Sequence, residues 1–303
     1  MNDKQLIVIA GPTAVGKTSF SIELALHFNT EIISADSRQF FREMNIGTAK
    51  PTSEEMKTIK HHMIDFLSIT EEYDAGKFSE EVEELLKELF LRFDKIIVVG
   101  GSGMYVKALC DGLDSMPEVA DDIREELNKS WLNGNKETLL NELQENDSEY
   151  YEAVDHNNRQ RVTRGIEVFR ATGLPYSSFR KGNKRKANKD YSVVKVGLEL
   201  DRKELYDRIN GRMHQMISNG LFNEAQNLYK HRELNALQTV GYREIFSFLD
   251  GEYDKEETIR LLKRNSRRYA KRQMTWFKRD EEFVWFNPFD KEKVIQYIEH
   301  CHR

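Results

Sequence analysis

Two cysteines in 303 residues, Cys110 and Cys301, are too few and too far apart for a disulfide framework or a cysteine-based zinc site. A reducing, cytoplasmic setting is therefore expected. The chain also lacks any apolar run near the ~20 residues that span a bilayer, and "MNDKQLIVIAG" passes directly into a β-type run without a secretory leader. Neither secretion nor membrane insertion is expected. Internal repeats and extended low-complexity tracts are missing as well. What remains is a globular chain long enough for two domains, or for one domain with an insertion.

Acid is missing from one place where it matters. The net charge is −5, yet "RLLKRNSRRYAKRQMTWFKR", from Arg260 to Arg279, contains no aspartate or glutamate. A solvated helix face normally mixes signs, so this one favours contact with a phosphate backbone. Residues 157–189 are also basic, with Arg159, Arg161, Arg164, Arg170 and Arg180 against the single acid Glu167, whereas 118–155 are acidic. A polyanion can bind such local surfaces on a molecule that is acidic overall.

The first third alternates β-type runs ("LIVIA", "TEIISAD", "KIIVVGG") with amphipathic helices, including one through Phe78, Val82, Leu85, Leu86, Leu89 and Phe90. That alternation predicts an α/β fold with a parallel sheet and crossover helices. Another β-type run, "YSVVKVGLEL", comes only at 191–200, and the stretch between reads as helices ending in a basic loop, "RKGNKRKANKD". We expect a P-loop NTPase-like core from 1–116 and 191–303, interrupted by a helical insertion domain at 117–190. Beyond residue 201 the pattern predicts helix almost to the end.

"GPTAVGKT" supplies the chemistry. Gly11, Gly16, Lys17 and Thr18 match G-x-x-x-x-G-K-[ST], between a β-type run and the helical pattern of Phe20, Leu24, Ala25 and Phe28. Such a loop turns amide N–H groups toward a phosphate, adds a helix N-terminus and the Lys17 charge, and offers the Thr18 hydroxyl to Mg²⁺. It does not say whether the phosphate belongs to a nucleotide. Asp36 falls just beyond the second β-type run, where it could ligate a metal, act as a base or cap a helix. "VVGGSGMYVKAL" is a second glycine-rich turn, with Ser102 at a helix start; anion binding and tight packing remain open for it. Arg208 and Arg212 share a helix face and could clamp phosphate oxygens or pair with acids. In "HHMIDF", His61 and His62 point to opposite sides of any regular element and have no ligand partners in the pattern, so a turn leading into a short strand is expected there.

Together these segments resemble the tRNA dimethylallyltransferases, also called tRNA isopentenyltransferases. The resemblance runs in order through "GPTAVGKT", "DSRQFF", "MNIGTAKPT", "HHMID", "VGGSGMYVKAL", "NRQRVTRGIEVFRATG", "GLFNEAQNL", "TVGYREIFSFLDGE" and "SRRYAKRQMTWFKR". It implies transfer of a dimethylallyl group from dimethylallyl diphosphate to N6 of adenosine 37 in the tRNA anticodon loop. By the same resemblance Gly11, Thr13, Ala14, Val15, Gly16, Lys17 and Thr18 hold the diphosphate with Mg²⁺, and Arg212 clamps it. Asp36 is then the base and Ser102 a positioning group. Asp36, Ser37, Arg38, Gln39, Arg159, Gln160, Arg161, Arg164, Gly241, Tyr242, Arg243, Arg268, Lys271 and Arg272 are expected to face tRNA, the helical insertion gripping the anticodon stem-loop. The family commonly has Thr at Ser102 and Tyr at Phe41, and the zinc finger of some eukaryotic relatives is absent, so a monomeric bacterial-type enzyme is expected. A P-loop kinase is the rival enzyme reading, and a nucleotide-sensing RNA-binding protein the rival outside catalysis.

Overall fold

The computed structural model describes residues 4–114, 116–180 and 189–301. Most of the expected basic loop at 180–190 lies outside the described residues. Six parallel strands form one sheet in the order β3-β2-β4-β1-β5-β6: β1 (Gln5–Ala10), β2 (Ile32–Ser34), β3 (His61–His62), β4 (Lys95–Gly100), β5 (Ser192–Leu198) and β6 (Val284–Phe286). β1 is buried at every residue, as befits a strand covered on both faces. Ile7 sits level with Ile97 of β4 and with Val194 of β5.

Helices cover both faces. In chain order the helices are α1 (Lys17–Phe28), α2 (Ser53–Thr58), α3 (Ala75–Leu89) and α4 (Gly103–Asp111), then α5 (Asp121–Leu132), α6 (Lys136–Asn146), α7 (Ser148–Ala153), α8 (Arg159–Thr172) and α9 (Tyr176–Phe179), of which α5 to α9 pack on a core of their own. After β5 come α10 (Arg202–Ser218), α11 (Leu221–Leu228), α12 (Tyr242–Leu249), α13 (Lys255–Phe277) and α14 (Lys291–His300). Leu6, Val8 and Ala10 point to a core with Phe40, Phe78, Leu86, Tyr242 and Phe277; Ile7 and Ile9 point to the opposite core with Leu24, Ala25, Val294 and Ile298. The period-two alternation of β1 thus ties both layers to one strand.

The chain divides into two units. The first combines Met1–Cys110 with Asn188–Arg303 and holds the sheet; the second is Asp111–Ala187. The second unit is helical and has its own core of Leu127, Leu139, Leu140, Leu143, Tyr150, Val162 and Ile166. No helix among the described residues is long and apolar enough to cross a membrane.

Two expectations are corrected. The carboxyl-terminal part is not helical throughout: β6 adds beside β5, pairing Val284 with Val196 and Phe286 with Leu198. Three residues are too few to show a strand period. His61 and His62 do not precede the short edge strand but form it, pairing with Ile32 and Ile33.

α13 shows why the fold can carry a basic surface. Asp254 caps it by accepting from Glu257 N, and Glu256 and Glu257 occupy its first turn, where negative charge is favoured. Leu261, Leu262, Ser266, Ala270, Gln273 and Phe277 form the buried stripe at helical spacing. Arg268, Lys271 and Arg272 are exposed.

Candidate active site

The order of the strands reverses at β1, and the carboxyl ends of its neighbours open a crevice there. The loop from Gly11 to Gly16 crosses that end. Gly16, at φ 106°, takes a left-handed conformation that side chains rarely adopt and starts α1. Lys17 Nζ donates to the carbonyls of Gly11 at 3.0 Å and Pro12 at 2.8 Å, so the ammonium folds back over the loop. Burial, and next the charge of Arg212, lower its pKa to about 8, with Asp36 opposing. Arg212 of α10 is likewise lowered by burial and held charged by Asp36. Two cations and one carboxylate are therefore gathered in a poorly solvated site. Arg208 borders the loop instead: its guanidinium donates to Val15 O at 3.5 Å, pairs with Glu204 at 3.3 Å and stacks on Phe289.

A cleft beside the loop is lined by Lys17, Thr18, Ser34, Asp36, Gln39, Pro51, His61, Val99 and Gly100. Asp36 Oδ1 accepts from Arg38 N at 3.0 Å, which closes a turn rather than capping a helix. Ser102, at the start of α4, accepts from Ser37 N at 2.9 Å, and its hydroxyl also pairs with that of Ser37 at 3.1 Å. The turn bearing Asp36 is thus pinned from both sides. Arg38 lies among Tyr105, Tyr269 and Asp36, and burial lowers its pKa against the pull of all three. Burial and then Asp36 raise the Tyr269 hydroxyl above its ordinary value, while burial pushes Tyr105 up to about 12. Both tyrosines therefore stay neutral at physiological pH.

The hydroxyl of Thr18 and the carboxylate of Asp36 line one cleft. Oxygen donors of this kind fit a hard divalent cation such as Mg²⁺.

Other expected residues separate by burial. Arg268, Lys271 and Arg272 of α13, Arg243 of α12, and Gln160 and Arg161 of α8 are exposed; Arg159 is half-buried. Gly241, at φ 105°, precedes α12 and donates its N–H to Glu244 at 2.8 Å. Three spend their polar groups within the fold. Tyr242 is fully buried and donates its hydroxyl to Glu224 at 2.6 Å. Gln39 spends its amide within the fold, accepting from Ser34 Oγ at 3.1 Å and donating to the carbonyls of Thr48 and Ala49. Arg164 is half-buried and bonded to Glu167 at 3.2 Å.

Two site residues escaped the sequence reading. His61 Nδ1 faces Ile59 O at 2.8 Å, while Nε2 is buried without a hydrogen-bond partner. Burial lowers its pKa. Donation from Nδ1 to that carbonyl leaves Nε2 as an unpaired acceptor in the wall of the cleft. The other is Gln273, the long amide in the apolar stripe of α13. That polar interruption marks the position but not its partners.

Known proteins resemble this chain over nearly its whole length. The IPP transferase family model matches residues 39–280. A tRNA dimethylallyltransferase from Cytophaga hutchinsonii is 49% identical over 297 residues, covering 98% of this chain and 97% of the relative. The tRNA dimethylallyltransferase 1 of Bacteroides fragilis is 45% identical, with 99% of both chains covered. Among solved structures, the full-length tRNA isopentenylpyrophosphate transferase of Bacillus halodurans is 37% identical, with a TM-score of 0.71 over 98% of this chain and 96% of that one. A eukaryotic dimethylallyltransferase acting on tRNA has the same TM-score at 28% identity, over 90% of this chain and 69% of its own. With its parallel sheet, its phosphate loop and its full-length relatives, this chain belongs to the IPP transferase family.

Proposed function

We propose that the protein transfers a dimethylallyl group from dimethylallyl diphosphate to N6 of adenosine 37 in the tRNA anticodon loop. The observation that supports this most is the meeting of Lys17, Thr18 and Asp36 in one cleft, with Arg212 near enough to act on both charged groups. In the transfer, the bond between the donor's C1 and its diphosphate oxygen breaks and a C1–N6 bond forms. The electron pair leaves with the diphosphate, and N6 gives up one proton.

The loop amides, Lys17 and Arg212 face the charge that grows on the departing diphosphate, and their poor solvation strengthens that attraction. Thr18 would help to hold Mg²⁺, which would supply Lewis-acid screening of the diphosphate. Asp36 accepts a hydrogen bond from the N6 amine and takes its proton. The amine's lone pair is delocalised into the adenine, so the pinned Asp36 turn also serves to orient it. A base stacked in the loop must be extruded to reach this cleft. The exposed charges of α13, and separately those of α8, are of the kind that suits an RNA backbone.

Incubation with radiolabelled dimethylallyl diphosphate, Mg²⁺ and tRNA bearing an unmodified adenosine 37 tests the reading. Label should enter the RNA with the wild type and fall by about 10² to 10⁴ in rate with Asp36→Ala. ATP consumption without RNA labelling would instead favour the kinase reading.

A further inference from the structure

Gln273 joins two loops that approach the cleft from different strands. Its Oε1 accepts the N–H of Thr13, in the phosphate loop, at 2.8 Å. Its Nε2 donates to the carbonyl of Gly101, in the turn between β4 and α4, at 2.9 Å. The residue is only 7% exposed, and both ends of its amide are used. A Cβ on Gly101 would lie 2.3 Å from that Nε2, so the turn must be glycine for the amide to come this close. Gly101 in turn precedes Ser102, which holds the Asp36 turn through Ser37.

We infer that Gln273 is a positioning residue of the transfer reaction, holding the diphosphate loop and the Ser102–Asp36 turn in register with each other. An amide is suited to this task because it presents one acceptor and one donor in a fixed plane. An apolar side chain of the same length would fill the space yet leave Thr13 N–H and Gly101 O unpaired in a buried place. The two loops would then be free to separate, although the helix beneath them remained packed. The same rigid helix carries Arg268, Lys271 and Arg272, so the proposed RNA surface and the donor loop share one support.

The inference rests on the proposed reaction but has a test that needs no transfer. Binding of dimethylallyl diphosphate with Mg²⁺ is measured by calorimetry for wild type, Gln273→Met and Leu262→Ala. Leu262 is fully buried on the same helix, within an apolar core. Gln273→Met should bind the donor about tenfold more weakly and raise its KM to match, with tRNA affinity unchanged. Leu262→Ala should lower Tm further while leaving donor affinity as in the wild type. Wild-type donor affinity in Gln273→Met, or equal weakening in Leu262→Ala, would overturn the inference. Should Gln273→Met fail to fold, Gln273→Glu keeps an acceptor for Thr13 N–H and carries the same comparison. A wild type that does not bind dimethylallyl diphosphate would instead strike at the proposed reaction.

Discussion

The hydroxyl of Ser102 accepts the backbone N–H of Ser37 at 2.9 Å, fastening the start of α4 to the residue that follows Asp36. Ser102→Ala leaves that half-buried N–H unpaired and frees the turn. The expected result is a kcat lower by about tenfold, with donor KM nearly unchanged, and recovery in Ser102→Thr, which restores the hydroxyl. Steady-state kinetics on both variants check it.

Lys17 sets a pH limit on donor binding. Its pKa in the folded protein is lowered from 10.5 to about 8, so the ammonium needed by the diphosphate is lost as pH rises past about 8. Affinity for dimethylallyl diphosphate should fall above that point in the wild type and stay level to about pH 10 in Lys17→Arg, since a guanidinium keeps its proton. Calorimetric titration from pH 7 to 10 reads the difference. Stability moves the opposite way. Between about 8 and 10.5 the unfolded chain binds more protons at this residue than the folded one, so the residue's contribution to the ligand-free protein's stability rises with pH across that window.

Tyr242→Phe removes the hydroxyl bonded to Glu224, a carboxylate that also accepts from the N–H groups of Asn45, Ile46 and Gly47. A cost of about 1–3 kcal/mol in stability is expected, with tRNA affinity unchanged. Denaturant unfolding together with RNA binding separates this buried role from an RNA contact.

Neutralising Arg268, Lys271 and Arg272 together should weaken tRNA binding and reduce the slope of log K against log salt by about 0.7 to 1 per charge lost. Tm should hardly move, because the three side chains are exposed. Arg260 and Arg267 would not serve the same test: the first is bonded to Glu257 and the second to Asn210.

Local chemistry explains what could be read in advance. The phosphate loop was legible because its glycines, lysine and threonine act through their neighbours in the chain, and β1 because a strand buried on both faces is apolar along nearly its whole length, here from Leu6 to Ala10. α13 declared its exposed face by missing acid. Long-range pairing gave no such signal. Gln273 is defined by Thr13 and Gly101, far away in sequence; Tyr242 looks like a surface aromatic until Glu224 is seen beneath it. His61 looked like a turn residue and is instead an unpaired acceptor in the cleft wall. β6 is held by its register with β5 rather than by any pattern of its own.

β1 is made first and finished late. Its partner on one side ends at Gly100, but its partner on the other is not complete until Leu198. During synthesis at ~5–20 residues per second, this fully buried strand therefore waits several seconds with an open edge while the whole helical unit is translated. An open, apolar edge is a template for pairing with other chains. Folding yield should thus depend on how quickly the second unit is produced and compacted, which gives its separate core a part in biogenesis as well as in the finished molecule.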